Sequence, residues 1–212
     1  MSLASWSKDK ILDHEKVLDV NLIDSSMLNV SHENGSEFKI AVISSERVNL
    51  DSLRNINIAD IDFILNIKKD AYITGDVFDL GDSAGFSIGT LGDVYRALNN
   101  GFMANYLDAE MSFVIRGLGQ HRKVTELKRL DNRRFLISRD SLPSVTILVL
   151  NDYDFTAEAV RHGIDVFGEF DAILTSNPNC RRTGNCMGAA SSAGIKIMDW
   201  GELMGNLNRR WN

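Results

Sequence analysis

Proline is nearly missing from this chain of 212 residues. Only Pro143 and Pro178 occur, which excludes a proline-rich linker. Cysteine is as scarce. Cys180 and Cys186 lie six apart in one polar segment. A zinc pair would need two more ligands, and His162 is the only imidazole nearby. The two read as reduced thiols of a cytoplasmic protein, a setting that disfavours a disulfide. No apolar run reaches the roughly 18 residues that cross a bilayer. The opening residues, MSLASWSKDKILDHEKVLDV, lack the apolar stretch of a secretory signal. No low-complexity segment and no internal repeat stands out.

What is present is ordinary for a globular protein: 44% hydrophobic and 25% charged residues. The length suits one generous domain, or a domain with a smaller extension. The formal net charge is -6, unevenly spread. Residues 116–140, RGLGQHRKVTELKRLDNRRFLISRD, carry eight Arg/Lys and three acids, or +5, which leaves -6 - 5 = -11 for the rest. A basic stripe on an acidic body attracts phosphate backbones. It reads equally as two strands with outward, solvated charges.

Periodicity places the elements. KDKILDHEKVLDV (8–20) suggests a short amphipathic helix, and SHENGSE (31–37) a turn. FKIAVIS (38–44), IDFILNI (61–67) and AYITGDVFDL (71–80) read as strands. GDSAGFSIGTLGDVYRAL (81–98) begins glycine-rich and becomes helical near Gly92. A helix over about 107–120 follows. Three strand-like runs come next, at 124–130, 133–139 and 144–150, the first two forming a hairpin about Asp131-Asn132. SVTILVL (144–150) is almost wholly apolar, as a central strand buried on both faces should be. A helix capped by Thr156, a strand over 171–177, a small-residue helix ending at Gly194, a strand over 195–200 and a last helix complete the chain. This β-α-β-α-β-α tail predicts parallel strands with right-handed crossovers. The expected class is α/β: a mixed sheet flanked by helices, with a restriction-endonuclease-like or Rossmann-like core over 101–212. Residues 1–100 form an N-terminal α/β part of the same globule or a small subdomain.

The order α-β-β-β-α-β over 107–177 resembles the core of restriction-endonuclease-like, PD-(D/E)xK proteins. The continuation ILTSNPNCRRTGNCMGAASSAGIKIMDWGELMGNL resembles the end of Mrr-type nuclease domains. The resemblance covers the second half of the chain. It implies a metal-dependent nuclease fold whose chemistry needs an Asp near the start of the second core strand and an acid-x-Lys at the end of the third. Two carboxylates hold Mg²⁺, which activates water, and the lysine stabilises charge on the phosphate. Asp131 answers to the Asp. Val149-Leu150-Asn151 stands where acid-x-Lys belongs, and neither valine nor asparagine can do that work. A displaced site would gather Glu110, Glu126 and Asp131, with Asp131 and Glu126 on Mg²⁺ if the protein is active; otherwise no cofactor is implied. Trying the Asp-strand at 61–66 instead, with Asp76 and Asp79 as the acids, again finds no lysine.

The expectation is therefore a nuclease-like protein that has lost its standard site. It would bind DNA, RNA or a nucleic-acid-processing partner through His121, Arg122, Lys123, Lys128, Arg133 and Arg134. The alternative is a Rossmann-like enzyme or sensor with a small-molecule or nucleotide site at the carboxyl edge of the sheet. Asn151, Asp152, Asn177, Asn179 and Arg181 would form its polar rim. Ser87, Thr90 and Asp93 mark the glycine-rich turn as a place for an anion. A third possibility is an assembly module, a homo-oligomer with Trp200 and Trp211 at the interface. Nothing suggests a membrane.

Overall fold

A computed structural model describes residues 2–211, and the chain divides into two compact units, Met1–Asp108 and Ala109–Asn212. In the first, α1 (Leu3–Leu12) leads into three antiparallel strands: β1 (Val17–Leu22), β2 (Met27–His32) and β3 (Glu37–Ile43). A two-residue β4 (Arg47–Val48) and two 3-10 turns (Leu50–Leu53, Ile58–Asp60) cross to β5 (Phe63–Asn66). Then come a short β6 (Tyr72–Ile73), α2 (Gly75–Ala84), β7 (Ser87–Gly89) and α3 (Leu91–Asn100). The sheet order is β1-β2-β3-β5-β7, with β3, β5 and β7 parallel and β4 paired to β6.

The second unit repeats this order. Helix α4 (Ala109–Gly119) precedes antiparallel β8 (Val124–Arg129), β9 (Arg134–Arg139) and β10 (Leu142–Leu150). A short β11 (Asp154–Phe155) leads to α5 (Ala157–Phe167), which stands where the first unit has 3-10 turns. Then follow β12 (Ala172–Thr175), a short β13 (Arg181–Arg182), α6 (Gly184–Ser192), β14 (Lys196–Met198) and α7 (Trp200–Asn206). The sheet order is β8-β9-β10-β12-β14, the last three parallel, with β11 paired to β13.

The likeness reaches single hydrogen bonds. His14 Nδ1 accepts the Lys16 amide, and His121 Nδ1 the Lys123 amide. The Asp62 carboxylate accepts the Lys39 amide and Asp171 that of Thr146. Ser83-Ala84-Gly85 and Ser192-Ala193-Gly194 close α2 and α6, with both glycines left-handed at φ 85° and 70°. Thr90 with Asp93, and Asp199 with Glu202, form capping boxes at α3 and α7. The buried His32 and Arg139 each reach a carbonyl at the end of the closing helix, Leu98 O and Leu207 O. A repeat that no run of identical residues announces is thus plain in the backbone. Between the matched positions the sequence varies freely, because only burial and caps have to be kept.

Each sheet carries apolar clusters on both faces. In the second unit, α4 and α7 cover one face through Met111, Val114, Leu118 and Leu203, packed on Phe135, Ile147 and Val149. Helices α5 and α6 cover the other through Val160 and Cys186, against Leu148 and Ile173. Central β10 is buried on both faces at Ile147, Leu148 and Val149, the heart of the nearly apolar run 144–150. Fully burying one such side chain stabilises the fold by about 1.5–3 kcal/mol.

The first unit differs from expectation in several places, with β2 and β7 forming where no strand was expected. The stretch 71–80 is a strand only at Tyr72–Ile73, then helix α2, which starts after Thr74 and turns Val77 inward. The helix expected over 8–20 lies at Leu3–Leu12, and the apolar residues from Val17 on belong to β1. Among the described residues no helix is long and apolar enough to cross a membrane.

Candidate functional site

The carboxyl ends of β10 and β12, the start of β9 and the first turn of α4 place several charged groups in one bonded cluster. The hairpin between β8 and β9 turns at Asp131, whose side chain is fully buried. A buried carboxylate needs donors, and Asp131 has three. Oδ1 accepts the amides of Arg133 (2.8 Å) and Arg134 (2.7 Å), and Oδ2 accepts Arg134 Nε at 2.7 Å. Arg133 then reaches α4, where its Nη1 donates to Glu110 Oε2 at 2.9 Å. The other oxygen of Glu110 accepts the hydroxyl of Ser176, just past β12. Ser176 also closes the parallel pair, donating its amide to Leu150 O at 2.9 Å. Glu110 and Asp131 are therefore joined through Arg133, and both carboxylates face guanidinium groups.

Glu126 stands apart. It lies on β8 opposite Ser138 and exposed, with its carboxylate 3.5 Å from the Ser138 hydroxyl. Ser138 is four residues along β9 from Arg134, on the order of 13 Å at strand rise. Among the described residues no three His, Cys, Asp or Glu side chains gather as a metal would require. The Val149 side chain packs into the core, whereas Asn151 is exposed just beyond the strand.

The basic residues separate into two kinds. Arg122 and Lys128 are exposed. Lys123 pairs with Asp140 at 2.9 Å, which with Ser141 holds the Asp140 carboxyl below its ordinary range. His121 ties the end of α4 to α7 through Met204 O at 3.2 Å. Arg133 and Arg134 are half-buried and held by Glu110, Asp131 and Glu169 O. The charge of residues 116–140 is thus largely spent inside the unit, which sequence spacing could not reveal.

The rim residues lie near the β11–β13 ribbon. Asn151, Asp152, Asn179 and Arg181 are exposed and Asn177 is half-buried, bonding the Asn179 amide. The Arg181 guanidinium stacks 5.1 Å from the centre of the Tyr153 ring. The first unit has a related pair on its own ribbon, Arg47 over Tyr72 at 4.4 Å. Tyr153 did not figure among the rim residues, although it stands beside Asp152 in the same corner.

The glycine-rich turn is no open anion cradle. Thr90 N and Oγ1 both bond Asp93 Oδ2, at 2.8 and 2.7 Å, so the helix start already has its carboxylate. Arg96 bonds the other oxygen of Asp93, and Ser87 is buried. Asp76 and Asp79 are exposed residues of α2. Trp200 packs on Gly117 and Phe113, and Trp211 donates to Asn206 O under the Arg139 guanidinium. Both tryptophans are half-buried and pack against the core. Comparison of the chain with protein-family models, with curated proteins and with solved structures finds no match.

Proposed function

We propose that the second unit is a nuclease-like domain of the PD-(D/E)xK type in which two arginines have taken over the carboxylates that would hold a metal, and that it binds nucleic acid, or a partner that processes it, without cutting. The observation that carries this reading is the Arg133 guanidinium on Glu110, with Asp131 bound to the same corner and to Arg134. Two guanidinium groups, Arg133 on Glu110 and Arg134 on Asp131, satisfy the carboxylates without a metal. The order α4-β8-β9-β10-α5-β12 supports the family resemblance. Placing an acid at Val149 would bury an unpaired charge.

The test has two arms. Incubation with DNA or RNA and Mg²⁺ or Mn²⁺ is expected to give no cleavage; metal-dependent cutting abolished by Asp131→Asn sinks the reading. Fluorescence anisotropy with labelled DNA and RNA is expected to show binding that weakens steeply with salt. Arg122→Gln with Lys128→Gln should lower the slope of log affinity against log salt by about two. Absence of salt-dependent binding sinks the nucleic-acid part.

A second reading rests on the exposed Tyr153–Arg181 stack beside Asn151, Asp152 and Asn179, which suits a small planar anion such as a nucleotide. A nucleotide that raises the melting temperature in the wild type and not in Tyr153→Ala would favour it.

A further inference from the structure

Edge strands expose unpaired backbone groups, and proteins usually shield them with charges or by keeping them short. Of the four edges of the two five-stranded sheets, β7 and β14 have three residues each. The six-residue β8 carries Glu126, Lys128 and Arg129. The six-residue β1 carries one charge, Asp19, where β8 has three. At the places of Thr125 and Arg129 it has Leu18 and Leu22, which are 69% and 47% exposed, and Ile23 next to it is 50% exposed.

The backbone of β1 also points the right way. Ile23 donates its amide inward to Met27 O at 2.9 Å, so by alternation the amides of Leu22 and Val20 point outward. The outward amide of Val20 is covered only by the neighbouring Asp19 carboxylate, at 2.9 Å. Leu18 is the extra residue of a bulge between Val17 and Asp19, and its side chain stands free.

The sequence of this edge reads nearly the same in both directions about Val20: Leu18-Asp19-Val20-Asn21-Leu22. Set antiparallel against a second copy with Val20 opposite Val20, the strand places Asp19 on Asn21 and brings the bulged Leu18 beside Leu22. No like charges meet. The Asp19 carboxylate, which accepts Asn21 Nδ2 within the chain at 2.8 Å, can accept the same amide from the other copy. A two-fold contact must be self-complementary, and this register is.

We propose that the β1 edge of the first unit is a homodimerisation surface, on which a second copy of this chain adds its own β1 antiparallel, centred on Val20.

The test uses the full chain. Light scattering behind size exclusion, over a micromolar-to-millimolar range, is expected to give a mass rising towards twice the 23.6 kDa of the monomer. Leu18→Lys with Leu22→Lys, which charges the edge, should hold it at the monomer mass with circular dichroism and melting temperature unchanged. Asp19→Cys and Asn21→Cys, mixed under oxidised glutathione, should give a covalent dimer. Neither should do so alone, and these separate controls also account for Cys180 and Cys186. A monomer at every concentration overturns the proposal, and would leave the edge to a strand of another protein. So does a dimer that survives the double lysine variant, or mixed cysteine variants that fail to cross-link.

Discussion

Asp24 and Asp131 occupy the same corner of two units and live in different surroundings. Each turns the chain from the first strand to the second. Asp24 is exposed, accepts the amide and hydroxyl of Ser26, and through them has its carboxyl drawn below the ordinary range. Asp131 is sealed under Arg134, and Arg133 runs on to Glu110. In the first unit the places of Glu110, Arg133 and Arg134 belong to Leu3, Ser26 and Met27. The shared aspartate therefore belongs to the turn, a local device that both frames need. What the second unit adds is the charge network built upon it. A pair of copies within one chain thus separates what folding requires from what else a position can carry.

Substitutions at matched places would break or sharpen that separation. Trp6 reports on the first unit and Trp200 with Trp211 on the second. The largest effect is expected at Asp131→Ala. It strands Arg134 and two amides, and should destabilise the second unit by about 3–5 kcal/mol in denaturant melts. Asp24→Ala should do far less to the first. If the two are equal, the network adds nothing to the turn. Next come Arg139→Ala and His32→Ala. Arg139, whose charge burial disfavours, donates to Pro143 O and Arg209 O as well as towards Leu207 O, whereas the His32 ring meets Leu98 O at 2.9 Å. The arginine variant should cost about 2–3 kcal/mol and the histidine variant about 1. Gly117→Ala should cost about 1–3 kcal/mol, since a Cβ there would lie 2.3 Å from the Trp200 ring. An unchanged melting temperature would mean that α4 and α7 can slide apart freely.

The smallest effect concerns pH. Arg182 donates to Glu202 at 2.7 Å and holds its carboxyl below the usual range. A lowered folded value means stability that is present above about pH 4.3, the unfolded value, and lost as pH falls through the folded one. Glu202→Gln should flatten the acid limb of stability below that point. The side chain is half exposed, so solvent screening keeps the change to a fraction of a kcal/mol.

Much of the second unit was legible in its residues. The apolar run 144–150, the hairpin at Asp131-Asn132, the Thr156 cap and the glycine at 194 each announce an element through local physics. The first unit was less so. Residues 71–80 alternate like a strand, yet Thr74 and Gly75 start a helix there, and β2 spreads its buried residues over a polar-looking run from Met27 to His32. The repeat was hidden for the same reason, because it rests on bonds such as Asp62 to Lys39 and on burial, with few identities in a row. At the site, the resemblance suggested Glu110, Glu126 and Asp131 as one group; Glu126 lies apart, and the arginines that pair with the other two were not foreseen. No spacing rule says which of several nearby guanidinium groups turns inward.

The matched frames also make the two units natural hosts for each other's parts. Because Leu3, Ser26 and Met27 sit on the same helix turn and hairpin as Glu110, Arg133 and Arg134, three exchanges would set the same acid and arginines at the matched places of the other copy. The molecule would then carry a graft and its donor side by side, under identical solvent, temperature and expression.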